Sequence, residues 1–356
     1  MRPQQVPREP AHLMSQTVNP ISFPGWDDLL PATEGASFAH CSAWAKVLSE
    51  SYGYRPTYFA SVDGERFLAL AACMEVRSPF TGIRGVGLPF TDECAPLLGP
   101  GTAPEDLSGP LLSFAREANW RSVEWRGGDG LMEGATPSAS FWTHTLDLSM
   151  GEDALWKGLR DSTRRNIRKA RSQGLAVSSD TSLHSLREFY RLNCATRRTH
   201  GLPPQPWRFF AKVFEHILSQ GLGFVTLARY GDRGIAGAVF FRLGHCALFK
   251  YGASDMRFQH LRPSNLVMWE GMKRLVRMGC RTLSLGRTDP RHRGLRQFKN
   301  GWGATEEEIC YYRYDLRRSA FVSGRHMVSG PHNVLFRRLP LTLNRLAGAL
   351  LYRHFA

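Results

Sequence analysis

The chain has 356 residues, of which 42% are hydrophobic and 22% are charged, and this composition excludes disordered and fibrous classes of protein. At about 150 residues per domain, the length predicts two domains. Lys and Arg outnumber Asp and Glu by 46 to 31, and the net charge of +15 favours anionic partners such as nucleic acid, nucleotide phosphates or an acidic membrane surface.

The seven cysteines are odd in number and never form a C-x-x-C pair. This usage predicts reduced, mostly buried thiols, a cytoplasmic location and no metal site. Residues 1–16 carry charge without an apolar h-region, so we expect neither a signal peptide nor an N-terminal anchor. No apolar run approaches the ~18 residues that span a bilayer, and any membrane association is expected at the inner face.

The first half of the chain is predicted to mix helices and strands after a flexible tail, residues 1–20. Apolar spacing predicts a helix over 38–52 that ends at Gly53. Residues 57–62 and 67–76 are predicted to form a hairpin around an Asp-Gly turn. Further on, the pattern predicts a helix followed by two strands, over 107–119, 122–127 and 141–148.

The pattern changes at Gly151, and the residues from Ala154 onward are predicted to form one amphipathic helix that is ended by Gly174. One face of this helix is basic, with Arg160, Arg164 and Arg168 at a spacing of four residues. Like charges at this spacing are mutually destabilising. The face therefore either binds the phosphates of RNA or a nucleotide, or it is simply solvated.

The densest group of site-like residues lies between His245 and Ala304, where a strand over 246–253 leads through a loop into a helix and a second strand. Ser264 or Asn265 is predicted to cap this helix. The free backbone N–H groups of a helix N-terminus bind anions, and Arg257 and Arg262 lie in the same loop. The alternative is a satisfied cap beside solvated arginines.

The segment LSLGRTDPRHRGLRQFKNGW over 283–302, with the KYGAS strand before it, resembles the FemAB-like family of tandem GNAT proteins. That family includes aminoacyl-tRNA-dependent peptidyltransferases, and the closest pattern is that of FemAB-related proteins of exopolysaccharide and exosortase systems. The resemblance covers 38–315. It implies an α/β fold with a mixed sheet and two tandem GNAT-like (acyl-CoA N-acyltransferase) domains, over 21–150 and 151–316, with the main site in the second.

Two positions depart from the family pattern. The loop that binds coenzyme A pyrophosphate in GNAT proteins has Gln or Arg followed, three residues later, by a glycine. Here Gln259 is followed at that position by Arg262. In the first domain TDECAP follows Phe90, where the family has a pair of glycines.

The resemblance also implies roles for individual residues. Phe298 and Lys299 match the family's Phe-Lys pair, whose lysine is expected to stabilise charge at the reacting ester. One positioned donor of this kind lowers such a barrier by about 3 kcal/mol, and Phe298 and Trp302 are expected to desolvate the lysine. The alternatives are a phosphate ligand or a surface residue.

Three further residues of this stretch are candidates on their chemistry. Arg287 is expected to bind a phosphate or carboxylate through two hydrogen bonds. Tyr251 either lines the cleft and positions the amine or belongs to the core. Glu270 is either a general base or a buried pairing group. No Ser-His-Asp or Cys-His pattern is visible, so we expect direct transfer without a covalent enzyme intermediate.

The expected function is that of an N-acyltransferase or aminoacyltransferase that forms an amide on an amino sugar or peptide amine of a cell-envelope or exopolysaccharide precursor. The donor is expected to be an acyl-CoA or an aminoacyl-tRNA, with no tightly bound cofactor. One alternative is an acetyl-CoA-dependent N-acetyltransferase of a small molecule. Another is a non-catalytic RNA- or nucleotide-binding module.

The last segment, 317–356, is basic and amphipathic. Leucines recur at helical spacing among arginines, at Leu335, Leu339, Leu343, Leu346 and Leu350. The segment either packs on the second domain or lies in a membrane interface over 331–356.

Overall fold

The computed structural model describes residues 15–128, 131–132, 134–322 and 332–354. The helices are α1 Trp26–Leu29, α2 Ser42–Tyr52, α3 Glu105–Glu117, α4 Gly151–Gly158, α5 Asp161–Ser172, α6 Leu183–Thr199, α7 Trp207–Val213, α8 Pro263–Arg277, α9 Arg293–Asn300, α10 His332–Arg338 and α11 Leu341–Leu351. The strands are β1 Gln16–Val18, β2 Arg55–Pro56, β3 Tyr58–Asp63, β4 Arg66–Ala71, β5 Met74–Ser78, β6 Gly82–Val86, β7 Leu97–Leu98, β8 Ser122–Arg126, β9 Ala139–Asp147, β10 Ala176–Asp180, β11 Gly223–Tyr230, β12 Arg233–Leu243, β13 Cys246–Ser254, β14 Thr282–Ser284, β15 Thr305–Asp315 and β16 Ala320–Phe321.

The strands form one small and one large sheet. The small sheet has the order β1-β3-β4-β7, and the large one β10-β11-β12-β13-β14-β9-β15-β8-β6-β5-β2, with β16 beside β15. The pairs β13–β14 and β6–β8 are parallel, and the other pairs are antiparallel. This arrangement confirms the predicted mixed α/β fold.

The two halves of the chain share the large sheet. Strand β9 of the first half pairs with β14 of the second, and β15 lies between β9 and β8. A core cluster also draws on both halves, since the ring of Phe241 packs 4.7 Å from Phe38 and 5.9 Å from Trp44. The division at residues 150 and 151 remains a prediction, and the observed sheet is continuous across it.

Several predicted elements are interrupted. The predicted strand over 67–76 divides into β4 and β5, because the chain leaves the small sheet at residues 72–73 and enters the large one. The prediction of one helix from Ala154 to Gly174 is wrong, because two helices, α4 and α5, occupy this stretch. Leu159 and Arg160 are extended, and the Arg160 N–H donates to the carbonyl of Gly301. A π-helical turn, Phe214–Leu218, follows α7 directly.

Several elements had no sequence-based prediction, and one terminal prediction is corrected. Helix α9 lies in a segment where only a basic-aromatic motif was recognised, and strand β15 follows that motif. Residues 1–14 lie outside the described residues, but residues 16–18 of the predicted flexible tail pair with β3.

Two irregularities of β13 position the site. Its pairing with β12 matches Val239 to Tyr251 and Phe240 to Phe249, so that Lys250 is the extra residue of a β-bulge. A bulge leaves its extra residue outside the regular ladder and redirects its side chain. Beyond this, β13 pairs with β14 only over residues 246–248 and 282–284, so Phe249 to Ser254 continue without β14 as a partner.

Candidate active site

A cavity of about 410 Å³, here called the donor cavity, lies between the free end of β13, the start of α8 and helix α9. It gathers four of the residues that the sequence singled out. They are Arg262, Ser264, Asn265 and Phe298. Strand β13 contributes Phe249, and helix α6 contributes Thr196 and His200.

Arg262 has the backbone conformation that glycine adopts most easily. Its φ of 59° and ψ of 38° are left-handed, which costs a non-glycine residue roughly 1–2 kcal/mol. This is the position at which the coenzyme A-binding pattern has its first glycine. The loop therefore keeps the glycine geometry while it adds a cationic side chain to the cavity lining.

The predicted cap of α8 is wrong. Arg262 is the N-cap residue and makes no side-chain capping bond, and Pro263 occupies the first helical position. Proline suits this position because its fixed φ is helical and its missing N–H would have had no partner. Ser264 and Asn265 lie within the first turn, where they line the donor cavity.

Two further cavities continue along β13. One, of about 370 Å³, is lined by Tyr251 and shares Thr196, His200 and Gly252 with the donor cavity. The other, of about 340 Å³, is lined by His40, Trp44 and Asp92 of the first half and by Ser284 of the second. Lys250 lines both of these cavities, so its side chain lies where the two spaces meet.

Charged groups from both halves converge beside Lys250. Its ammonium group donates to the carbonyl oxygen of Phe90 and lies 5.0 Å from the ring centroid of Trp44. Arg287 lies directly after β14, and its Nε is 3.5 Å from Oδ1 of Asp92. The Arg287 guanidinium also stacks on aromatic rings, at 4.4 Å from Phe141.

Lys299 is the third cation of this charged cluster and contacts the backbone that follows β14. Its side chain is 4% exposed, and its Nζ donates hydrogen bonds of 2.7 Å and 2.9 Å to the carbonyl oxygens of Gly286 and Arg287. The expected desolvation of Lys299 is therefore observed. Helix α9 places Phe298 in the donor cavity and the adjacent Lys299 under the loop that carries Arg287.

Burial controls the protonation of the cluster. Burial lowers the pKa of Lys250 and of Lys299 to about 8, although the nearby charge of Asp92 acts in the opposite direction. Burial raises the pKa of Asp92, but the charges of Lys250, Arg287 and Lys299 hold it below its usual value. At neutral pH the cluster therefore contains one carboxylate and three cations.

Several predicted site residues have other partners in the structure. Glu270 pairs with Arg171 at 3.2 Å and with Lys273 at 2.6 Å, as in the pairing alternative. Arg257 is exposed and binds Asp255 at 2.6 Å. Trp302 lies in the core beneath α8. None of these side chains is among those that line the described cavities.

The basic helix makes local contacts rather than lining a cavity. Arg164 donates to the carboxylate of Asp161 and to the carbonyl oxygen of Lys157. The Arg168 guanidinium stacks 5.6 Å from the ring of Trp156. Roles for Arg164 and Arg168 in phosphate binding remain predictions.

Tyr251 was expected either to line the cleft or to belong to the core, and it has contacts of both kinds. Its ring packs 5.5 Å from Phe210 beside the core, and it also lines the 370 Å³ cavity. Burial raises the pKa of its hydroxyl well above the usual value. It is therefore a neutral hydroxyl group at physiological pH.

Asp92 and Lys250 are the site residues that the sequence analysis missed. Each had a visible signal. Lys250 interrupts an otherwise apolar strand, and Asp92 belongs to the TDECAP segment that replaces the family's glycine pair. Only the packing of the two halves brings them together.

A buried cysteine and histidine also meet at this junction. The Cys94 Sγ lies 3.6 Å from Nε2 of His40, but Nε2 is also 3.1 Å from the carbonyl oxygen of Ala95. The Ser37 backbone N–H donates to His40 Nδ1, so Nε2 carries the proton and cannot accept one from the thiol. Burial raises the pKa of Cys94 and lowers that of His40, which disfavours a thiolate–imidazolium pair.

A match to a known domain family, together with the fold, defines the class of protein. Residues 157–300 match the family described as acetyltransferase (GNAT) domain. The chain therefore contains a GNAT domain and is a GNAT-fold acyltransferase. A comparison with curated protein sequences found no match.

Solved structures share this fold over most of the chain. The crystal structure of FemX is 14% identical, with a TM-score of 0.65 over 82% of this chain and 95% of that one. A tandem GNAT protein from the clavulanic acid biosynthesis pathway is 11% identical, with a TM-score of 0.52 over 82% and 93%. L-PGS from Bacillus licheniformis is 11% identical, with a TM-score of 0.52 over 92% and 97%. The expected tandem GNAT fold is thus confirmed.

Proposed function

We propose that this acyltransferase forms an amide on an amino sugar or peptide amine of a cell-envelope or exopolysaccharide precursor. The acyl group comes directly from an acyl-CoA or an aminoacyl-tRNA that occupies the donor cavity, with its acyl end at the adjoining 370 Å³ cavity that Lys250 lines. The observation that carries the proposal is the position of Lys250, which projects from the β13 bulge beside Asp92 of the other half.

The reaction balances without a covalent enzyme intermediate. The acceptor nitrogen attacks the acyl carbonyl carbon, a C–N bond forms, and the C–O bond of an ester or the C–S bond of a thioester breaks. The nitrogen loses a proton, and the leaving hydroxyl or thiol gains one. The buried state of Cys94 supports direct transfer, because its thiol is held in the neutral form.

The charged cluster fits the charges that develop in this reaction. Attack on the carbonyl produces an oxyanion, and a cation in a water-poor site stabilises such a charge far more than it does in water. Lys250 is proposed to supply that cation directly, and Lys299 to hold the Gly286–Arg287 backbone and add to the positive field. Asp92 is proposed to accept a hydrogen bond from an N–H of the neutral acceptor amine, so that the one proton lost by the nitrogen is the one gained by the leaving group.

The likeness in fold to FemX, and to a structure from Agrobacterium fabrum described as the C-terminal domain of a putative lysylphosphatidylglycerol synthetase, supports an envelope-related acceptor. The latter is 15% identical, with a TM-score of 0.50 over 76% of this chain and 86% of that one. The proposed cytoplasmic location agrees with the use of a coenzyme A or tRNA donor.

The proposal is tested by thermal unfolding with acetyl-CoA, aminoacylated tRNA and uncharged tRNA, followed by mass spectrometry of added amine acceptors. A true donor present at ~100 times its dissociation constant adds about 2.7 kcal/mol of stability and yields an amide product. Two arginines of one loop make a matched pair. Arg262→Ala should weaken donor binding, whereas Arg257→Ala, outside the cavity, should not.

Stabilisation by charged and uncharged tRNA alike, without any amide product, would favour the nucleic-acid-binding alternative. The absence of both stabilisation and product with every donor would contradict the proposal.

A further inference from the structure

The C-terminal segment is fixed to both halves of the protein by one face. The hydroxyl of Tyr54 donates to the carbonyl oxygen of Tyr352 at 2.8 Å, and Arg197 of α6 donates to the hydroxyl of Tyr352 at 2.6 Å. Asn344 of α11 is fully buried, and Gly348 packs closely against Pro204. The predicted packing on the second half is therefore present, and the segment also contacts the first half.

The opposite face of α11 is apolar and open to solvent. Leu343, Leu346 and Leu350 are 49%, 57% and 61% exposed. At 100° per residue their side chains lie within one narrow sector of the helix, opposite buried Asn344. We call these three residues the leucine strip.

Exposed apolar side chains are concentrated in this part of the chain. Of the eleven large hydrophobic residues that are exposed in the described structure, five lie in 332–354, namely Val334 and Leu335 of α10 and the three leucines of the strip. A sixth, Phe80, contacts the ring of His354 at 5.3 Å between centroids. Single exposed leucines are ordinary on a protein surface, but a concentrated apolar patch marks an interaction site.

Exposed basic side chains belong to the same segment as the strip. Arg337, Arg338 and Arg353 are exposed, and the described part of the segment, 332–354, contains no acidic residue. A helix with an apolar face, arginines beside it and this sign of charge binds in the plane of an anionic bilayer surface. The net charge of +15 for the whole chain acts in the same direction.

We infer that the leucine strip is a docking surface for the anionic face of a lipid bilayer. The protein would lie on the surface rather than cross it, because no helix among the described residues is long and apolar enough to span a membrane. Tyr352 of the same segment lines the cavity that contains Lys250. Docking through the strip would thus hold this cavity beside the membrane surface, where a lipid-linked acceptor is presented.

The test is co-sedimentation of the full chain with phosphatidylcholine vesicles, with and without phosphatidylglycerol. We expect binding to the anionic vesicles and weaker binding to the neutral ones. The triple variant Leu343→Gln/Leu346→Gln/Leu350→Gln should lose binding by roughly tenfold or more, since each leucine no longer inserts its side chain. Glutamine is used because it is a good helix former. Arg338→Gln/Arg353→Gln should reduce the preference for phosphatidylglycerol.

The matched control is Leu98→Gln/Met150→Gln/Met256→Gln, which removes three exposed apolar side chains elsewhere on the surface. It should bind vesicles like the unaltered protein. Failure of the unaltered protein to sediment, or undiminished binding by the leucine variant, would overturn the inference.

A leucine variant that still binds vesicles but changes oligomeric mass in light scattering would also overturn it, by showing that a second copy covers the strip. The inference does not depend on the acyl donor. Amide formation on a soluble acceptor should be unchanged in the leucine variant, so a failure of this inference is distinguishable from a failure of the proposed function.

Discussion

The guanidinium Nε of Arg287 lies 3.5 Å from Oδ1 of Asp92, and this ion pair joins the two halves of the chain at the candidate site. Arg287 follows β14, whereas Asp92 lies between β6 and β7. The charges of Lys250 and Lys299 also act on Asp92. The single negative charge of Asp92 thus acts on three cations. Removing this charge should change the pKa values of the two lysines.

Asp92→Asn should lower the pKa values of both lysines further. The charge of Asp92 raises them against the effect of burial, so neutralising it removes that support. The high-pH limb of the rate profile should therefore move to lower pH, which a pH series of kcat/KM measures. Glu93→Gln is the control, because Glu93 is not among the groups that shift either lysine. Equal profiles for the two variants would contradict the assignment of Asp92.

The pH dependence of the unaltered protein should report the lysines directly. If the cationic forms stabilise the transition state, kcat/KM should fall as the pH rises through about 8, the pKa of Lys250 and Lys299. In Lys250→Arg, the part of the fall in kcat/KM that is due to residue 250 should occur at higher pH, since arginine stays charged. The two lysines share one site, so the measured values belong to the pair. The contradicting result is a kcat/KM that keeps rising above pH 9 in the unaltered protein but not in Lys250→Arg. It would indicate that neutral Lys250 acts as a base.

The same pKa values set the direction of stability against pH. An unfolded lysine has a pKa near 10.4, so between about 8 and 10.4 the unfolded chain binds more protons than the folded one. Stability should therefore rise with pH across this window. Lys299→Met should flatten the rise, as urea unfolding at pH 7.5, 9 and 10 would show. A fall in stability over the window that depends on Lys299 would contradict the burial of its charge.

Arg262→Gly should separate backbone strain from ligand contact. Glycine relieves the left-handed conformation but increases the entropy of the unfolded chain, so a net gain of up to about 1 kcal/mol is expected. KM for the donor should rise, because the cationic side chain leaves the donor cavity. Ser319→Gly relieves a similar φ of 48° at an exposed position and should leave KM unchanged. An unchanged KM in both variants would remove Arg262 from the donor site.

The sequence was sufficient for features that depend on local periodicity. Helix α2, which begins four residues into the predicted helix 38–52, the hairpin at Asp63-Gly64 and strands β13 and β14 follow from apolar spacing and turn residues, and the FemAB-like resemblance supplied the fold. The break between α4 and α5 could not be predicted in this way. It depends on a hydrogen bond from Arg160 to Gly301, more than a hundred residues away in sequence.

The candidate site was only half predictable for the same reason. Phe298, Lys299 and Arg287 lie in one recognisable motif. Asp92 and Lys250 acquire their significance from the shared sheet and core, and a β-bulge redirects Lys250. Glu270 and Trp302 had suitable chemistry, but α8 and the core beneath it give them structural partners.

The most direct test of the central claim is turnover by Lys299→Met compared with Lys273→Met, both assayed for amide formation with the donor that stabilises the protein. Lys273 is a partly buried lysine of the same half that pairs with Glu270. We predict that Lys299→Met lowers kcat by at least about tenfold, which is less than the 10²–10³ of a direct oxyanion donor, while donor binding persists, and that Lys273→Met keeps nearly full turnover. Equal turnover in the two variants, with both folded and able to bind the donor, would contradict a catalytic centre built around Lys250, Asp92, Arg287 and Lys299.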